Sequence, residues 1–237
     1  MSTAKIYLIP TVLHDDDAAL RALPGYIKDA IAECSVLFVE NERTARRGLK
    51  KLWKEINIGN YQWHTIHKAE EDLKAIFLNC IKAGAVIGIL SEAGCPGIAD
   101  PGQVLVRAAQ EYNITVIPLT GPNSMFLELM ASGMNGQCFK FEGYLPIDST
   151  GRRKKIKELE TESASKKSTH IFIETPYRNN LLIQDICAVC KPGTLFCIAV
   201  DITSSGELIK TKTIQQWKRQ SPPDIHKRPA IFLLQAE

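Results

Sequence analysis

Four short apolar runs punctuate the first half of the chain: KIYLIP (5–10), SVLFVE (35–40), AVIGIL (85–90) and ITVIPL (114–119). Each is nearly continuous in Val, Ile and Leu, the pattern of a strand buried on both faces. Between them lie stretches with apolar residues at helical spacing. These are AALRALPGYIKDAIAEC, interrupted by Pro24-Gly25, then AEEDLKAIFLNCIKAG, acidic at its start and stopped by Gly84, and PGQVLVRAAQEYN. Strands that alternate with helices mean a mainly parallel sheet.

The segment TGP (120–122) reads as a hinge. After it come NSMFLELMASG, a helix ending at Gly133, and five partly alternating runs: CFKFEGYL (138–145), STHIFIET (168–175), GTLFCIAVDI (193–202), GELIKTKTI (206–214) and PAIFLLQ (229–235). Helices are expected at 149–163 and 178–190, and the polar TESASKKST (161–169) reads as a mobile loop. The expected architecture is α/β in two domains. Residues 1–119 hold the parallel sheet and 120–237 a mixed sheet. No internal repeat is present.

The 237 residues suit one large domain or two small ones, and no apolar run reaches the roughly 18 residues of a membrane helix. MSTAKIYLIPTV reads as a first strand, not a signal peptide. Seven cysteines without framework spacing point to a reduced, cytoplasmic protein. Cys187 and Cys190 form one C-x-x-C with no second ligand pair for zinc, so they read as small core residues and no metal is expected. His64 and His67, without a third ligand nearby, read as surface or site histidines.

Each strand of the first half ends in an unusual loop: PTVLHDDD, ENER, SEAGCPGIADPG and TGPNS. In a parallel sheet these carboxyl ends share one edge, where open α/β sheets bind ligands. The third loop carries glycines at 94, 97 and 102 but no Gly-Lys-Ser/Thr, so it is not a phosphate loop. It favours a ligand with little negative charge, held by backbone groups. Cys95 has no histidine in sequence context to activate it, which favours a packing or ligand-lining role.

The stretch ERTARRGLKKLWKEI (42–56) places Arg43, Arg46, Arg47, Lys50, Lys51 and Lys54 on one helical stripe. Ala45, Leu49, Leu52, Trp53 and Ile56 form the apolar stripe opposite. A face with so little mixing of sign favours a polyanion over plain solvation. A second basic run, Arg152, Arg153, Lys154, Lys155 and Lys157, opens a helix against its own dipole. Two basic clusters beside a small-ligand crevice point to a nucleic-acid substrate, although the net charge of +3 alone demands none.

The order IYLIPT, VENERTARR, SEAGCPGIADPG, TGPNS, FEGYLPIDSTGRRKKIKELE and IFIETPYR resembles the tetrapyrrole (corrin/porphyrin) methylase superfamily. More narrowly it resembles the branch of small-subunit ribosomal RNA ribose 2'-O-methyltransferases. The resemblance covers nearly the whole chain. It implies a two-domain tetrapyrrole-methylase-like fold with S-adenosylmethionine in the cleft between the domains, a homodimer, and ribosomal RNA or the small subunit as partner. A tetrapyrrole or other small-molecule acceptor, or donor binding without catalysis, stays open. Carried over residue by residue, the donor contacts are Leu13, Ala93, Gly94, Cys95, Ile98, Asn123, Ser124, Glu174, Thr203, Pro229 and Ala230.

The sequence departs from the branch at three loops. P-T-P-I-G-N is here PTVLHDDD, lacking the glycine and adding acids, E-D-T-R is ENER, and S-D-A-G-T-P is SEAGCP. The chain also stops sooner than many members, just after its last expected strand. Methylation of a ribose hydroxyl needs a base or an oriented water to take its proton. Glu92, Glu40 and Glu42 are the candidate bases, with Arg43 beside them in the retained part of ENER. Each carboxylate has an alternative as a cap or as an ion-pair partner of Arg43 or Arg46.

Overall fold

The computed structural model describes residues 4–66 and 70–236, with the side chains of 70–72 left aside. His67 lies outside the described residues. The chain divides into two compact units, Met1–Asn123 and Ser124–Glu237. The division falls after TGP, not before it. Leu119 N donates to Leu8 O at 3.0 Å and Thr120 N to the Tyr26 hydroxyl at 2.8 Å. Gly121 lies so close to Pro10 that an added Cβ would stand 2.2 Å from the proline Cβ. These bonds hold 119–121 to the first unit.

In the first unit β1 (Lys5–Ile9), β2 (Val36–Val39), β3 (Gln62–Thr65), β4 (Val86–Leu90) and β5 (Thr115–Pro118) form one sheet of order β3-β2-β4-β1-β5. Every neighbouring pair is parallel. The helices are α1 (Ile27–Glu33), α2 (Glu42–Leu52), α3 (Glu70–Lys82) and α4 (Gln103–Glu111). Successive strand residues enter different cores, as period two requires. Ile6, Phe38 and Ile89 pack with Phe77 and Leu105, whereas Tyr7, Leu37 and Leu90 pack with Ile31 and Leu49. The strand β3, QWHT, has no apolar run to announce it. It is an edge strand, and pairing with β2 alone suffices to form it. His64 on it stacks over Phe38 at 5.0 Å between ring centres.

The second unit contains α5 (Ser124–Ser132), β6 (Phe139–Tyr144), α6 (Ser149–Lys166), β7 (Thr169–Ile173), α7 (Asn179–Val189), β8 (Leu195–Val200), β9 (Leu208–Thr213), α8 (Ile214–Gln220) and β10 (Ala230–Gln235). Its sheet order is β6-β7-β10-β8-β9, with β6 and β7 parallel and the other pairs antiparallel. Ile156, Phe172, Ile186, Phe196, Trp217 and Phe232 share its core, and Cys187 and Cys190 pack there as expected for small core residues. The stretch TESASKKST is not a loop. It is the end of α6, closed by Lys167 at φ 52°. The buried Ser163 hydroxyl anchors it, donating to Ser168 O at 2.6 Å and accepting from Ala236 N at 2.8 Å. The unforeseen helix α8 carries a capping box between Thr213 and Gln216. Among the described residues no helix is long and apolar enough to cross a membrane.

One sequence-based expectation fails here. Arg152 is buried and does not face solvent. Its Nε donates to Asp185 Oδ2 at 2.8 Å and its Nη1 to Ile147 O at 2.7 Å, while Arg153 Nε reaches Asp185 Oδ1 at 2.6 Å. Arg152 is therefore a structural ion-pair residue and leaves the candidate RNA-binding set. Burial pushes the Asp185 carboxyl up, but hydrogen bonds from Arg153 and Arg152 outweigh it and the net shift is downward. A carboxylate lowered on folding adds stability above its ordinary range, and that stability is lost on acidification. Asp185→Asn should cost about 3–5 kcal/mol, because it strands a buried guanidinium. A urea titration at neutral pH measures this, and the deficit should shrink as the pH falls.

Candidate functional site

Because β4 lies between β2 and β1, the loops after these three strands leave the sheet side by side. They enclose a cavity of ≈ 220 Å³ in the first unit. Leu13, His14 and Asp15 of the first loop form one wall. Glu40, Asn41, Arg47 and Lys51 form another, and Glu92 with Ala93 the third. Backbone bonds fix the walls. Thr11 N donates to Gly94 O at 2.8 Å, the Ser91 hydroxyl donates to the same oxygen at 3.1 Å, and Glu92 N donates to Glu40 Oε1 at 2.9 Å. Gly94 sits at φ +78°, and an added Cβ would stand 3.1 Å from Leu13 Cδ2 and 3.3 Å from Pro122 O.

Leu13, Ala93, Gly94 and Cys95 thus lie on adjoining loops, while Ile98 further along is exposed. The Cys95 thiol donates weakly to Pro122 O at 3.5 Å and Gly121 O at 3.7 Å. Burial pushes it up, which suits a lining role better than a nucleophile. Asn123 follows on the same strand-end segment, and Ser124 opens α5 in the second unit.

Three carboxylates gather at this edge. Desolvation raises Glu40. Desolvation, with repulsion from Glu40 and Glu92, pushes Asp100 up to about 6. Asp100 was not singled out in the sequence, although its place in the glycine- and proline-rich loop was the available signal. The helix α2 begins with the Asn41 side chain accepting from Thr44 N at 3.1 Å and ends at Leu52, so Lys54 falls beyond it. Its basic face is not unaccompanied. Glu42 pairs with Arg46, whose guanidinium also stacks over Trp63 at 5.0 Å. Asp15 pairs with Arg47 at 3.1 Å and Lys51 at 3.3 Å, and Asp17 with Lys51 at 3.2 Å. Arg43 is exposed and takes no part in the cavity wall.

In the second unit the expected donor residues meet at one end of the sheet, where β7 and β8 finish and β10 begins. Glu174 is buried, and its Oε1 accepts from Thr175 N at 2.6 Å and Arg178 Nε at 3.0 Å. Asp201 and Thr203 adopt left-handed backbone angles, φ 49° and 71°. Asp201 N donates to Pro229 O at 3.0 Å, and Ala230 pairs with Val200. Glu174 Oε2, Asp201 Oδ1 and Thr203 Oγ1 are buried without a hydrogen-bond partner. Unpaired buried polar atoms beside strained backbone are features of a ligand site, and they fit the polar edge of a nucleoside-like donor.

Elsewhere Glu142, Glu162 and His170 bring metal-type atoms within 4.8 Å of one another. Lys140 stands 3.0 Å from Glu142 Oε1 and Lys155 3.5 Å from its Oε2, so ammonium groups already neutralise that carboxylate.

No family model matches the chain. It is 30% identical over 238 residues to ribosomal RNA small subunit methyltransferase I of Escherichia coli O157:H7, covering 100% of this chain and 78% of that protein. With the Vibrio cholerae protein of the same name it is 31% identical over 207 residues, covering 86% and 67%. The solved methyltransferase CobJ superposes with a TM-score of 0.61 at 15% identity, over 98% of this chain and 93% of that one, which establishes a shared fold. Similarity at this level along most of its length means that the chain belongs to the ribosomal RNA small subunit methyltransferase I family.

Proposed function

We propose that the chain transfers a methyl group from S-adenosylmethionine to a ribose 2'-hydroxyl in RNA of the small ribosomal subunit. The observation that carries this reading is the shared wall: Arg47 and Lys51 of the basic helix line the same cavity as Leu13 and Ala93, two expected donor contacts. At ≈ 220 Å³ the cavity lies below the roughly 300–1,000 Å³ of small-molecule sites, which speaks against a macrocycle there.

In this reading Leu13, Ala93, Gly94, Cys95, Ile98 and Asn123 of the first unit, with Ser124, Glu174, Thr203, Pro229 and Ala230 of the second, contact the donor. When bound, the donor supplies an electrophilic methyl group on a sulfonium. Glu40 braces the loop after β4 through Glu92 N and so positions Ala93 and Gly94. Arg43, Arg46, Arg47, Lys50 and Lys51, with the half-exposed Arg153, meet RNA phosphates. A cytoplasmic homodimer belongs to the same reading.

The direct test supplies labelled donor and small subunits from a strain lacking the gene. Label in one 2'-O-methylated nucleotide supports the reading; label in a base, or none in RNA, sinks it. Gly94→Ala places a side chain where the backbone is left-handed, at about 1–2 kcal/mol. Calorimetric titration should show donor affinity about tenfold weaker. Arg46→Glu with Lys50→Glu should abolish methylation of subunits yet leave that titration unchanged. Asp15→Asn with Asp17→Asn frees Arg47 and Lys51, so subunit RNA should bind about two- to fivefold tighter in a low-salt filter assay, with the gain fading as salt rises.

A further inference from the structure

We propose that His14 is the general base that takes the proton from the acceptor hydroxyl, an assignment that rests on the ribose-methylation reading above. As the C–O bond forms, the C–S bond breaks and sulfur leaves as a neutral thioether. The sulfonium's positive charge then remains with the acceptor oxygen until its proton departs. That proton passes to imidazole and then to water, so atoms and charge balance.

Most other candidates are engaged or misplaced; Glu92 lines the same cavity but is exposed to water. Glu40 accepts from Glu92 N, and Glu42 is paired with Arg46. Arg43 is cationic and has no acceptor atom. The Cys95 thiol faces backbone carbonyls. Asp100 does not line the cavity. His14 does line it, as do Leu13 and Ala93, two of the expected donor contacts. Its Nδ1 is shielded from water and has no hydrogen-bond partner, and Asp16 Oδ2 stands 3.9 Å away. The other Asp16 oxygen accepts from Ala19 N at 2.8 Å, which holds the carboxylate at the start of the turn Ala18–Ala22.

A carboxylate 3.9 Å from Nδ1 is too far for a hydrogen bond but close enough to favour a forming imidazolium by charge. With Nδ1 on the Asp16 side, Nε2 is the nitrogen left for the acceptor. The charged groups on the same cavity are Asp15, Glu40, Glu92, Arg47 and Lys51. Arg47 and Lys51 are paired with Asp15, so the cations are largely offset around the ring. The loop reads PTVLHDDD where the resembling branch reads P-T-P-I-G-N, so His14 belongs to the part of the loop that departs from that branch.

Single-turnover methylation of small subunits at saturating donor, followed across the neutral pH range, tests the assignment. His14→Gln should lower the rate about 10²-fold or more and flatten its rise with pH. Donor affinity and subunit affinity should stay as in the unsubstituted protein. His14→Gly leaves room for a small base, and added imidazole should restore part of its rate, which a merely structural histidine would not allow. A His14→Gln rate equal to that of the unsubstituted protein overturns the assignment alone. So does a loss with an unchanged pH profile and no rescue by imidazole. An unsubstituted protein that transfers no methyl group to RNA overturns the functional reading and the assignment with it.

Discussion

One backbone hydrogen bond, from Thr11 N to Gly94 O at 2.8 Å, joins the loop after β1 to the loop after β4. Two strands parallel and adjacent in the sheet would otherwise send their loops away independently. The bond needs Gly94 at φ +78°, an angle that other residues reach only with strain. Ser91 donates to the same carbonyl oxygen, and Glu40 holds the neighbouring Glu92 N, so the loop is fixed from β2 as well. Leu13, His14, Glu40 and Ala93 come to one cavity because of this lacing. Loss of the bond would not unfold the sheet, whose strands pair elsewhere, but would open the space between them.

Electrostatics act on that scaffold in two ways. Desolvation makes Asp100 and Glu40 harder to ionise than exposed carboxylates, and Asp100 also feels repulsion from Glu40 and Glu92. The acids of the first loop instead lie toward α2, where Asp15 and Asp17 neutralise Arg47 and Lys51. A phosphate approaching this helix must replace those carboxylates. The acidic first loop is therefore coupled to the basic face, a link that neither stretch reveals alone.

Most of the fold was legible because burial on both faces writes itself as continuous apolar runs, and all four such runs of the first half are strands. The edge strand β3 escaped notice because QWHT carries no such run and depends on one neighbour. The end of α6 looked like a loop because its polar residues seemed unsuited to burial, but Ser163 is buried with its hydroxyl fully bonded. The loops after β1, β2 and β4 meet at one sheet edge, as the strand pattern suggested. That pattern could not show that Asp100 shares the field of Glu40 and Glu92, or that Asp16 stands beside His14, since both depend on side-chain packing.

Arg152 and Arg47 look alike in the sequence, each opening or continuing a basic run, yet their partners differ in access to water. Asp185 is buried, so its bonds to Arg152 form in a medium that makes separation costly. Asp15 is 63% exposed and Arg47 69%, so water and salt compete for both at every moment. A polyanion can exchange with the second pair but not the first. The buried Arg152 therefore does not count among the cations of the second unit that a polyanion can reach. Arg47 lies on α2, which lines the same cavity as His14. Asp15, which pairs with Arg47 and Lys51, stands next to His14 in the chain, so one loop carries both the partner of these cations and the imidazole.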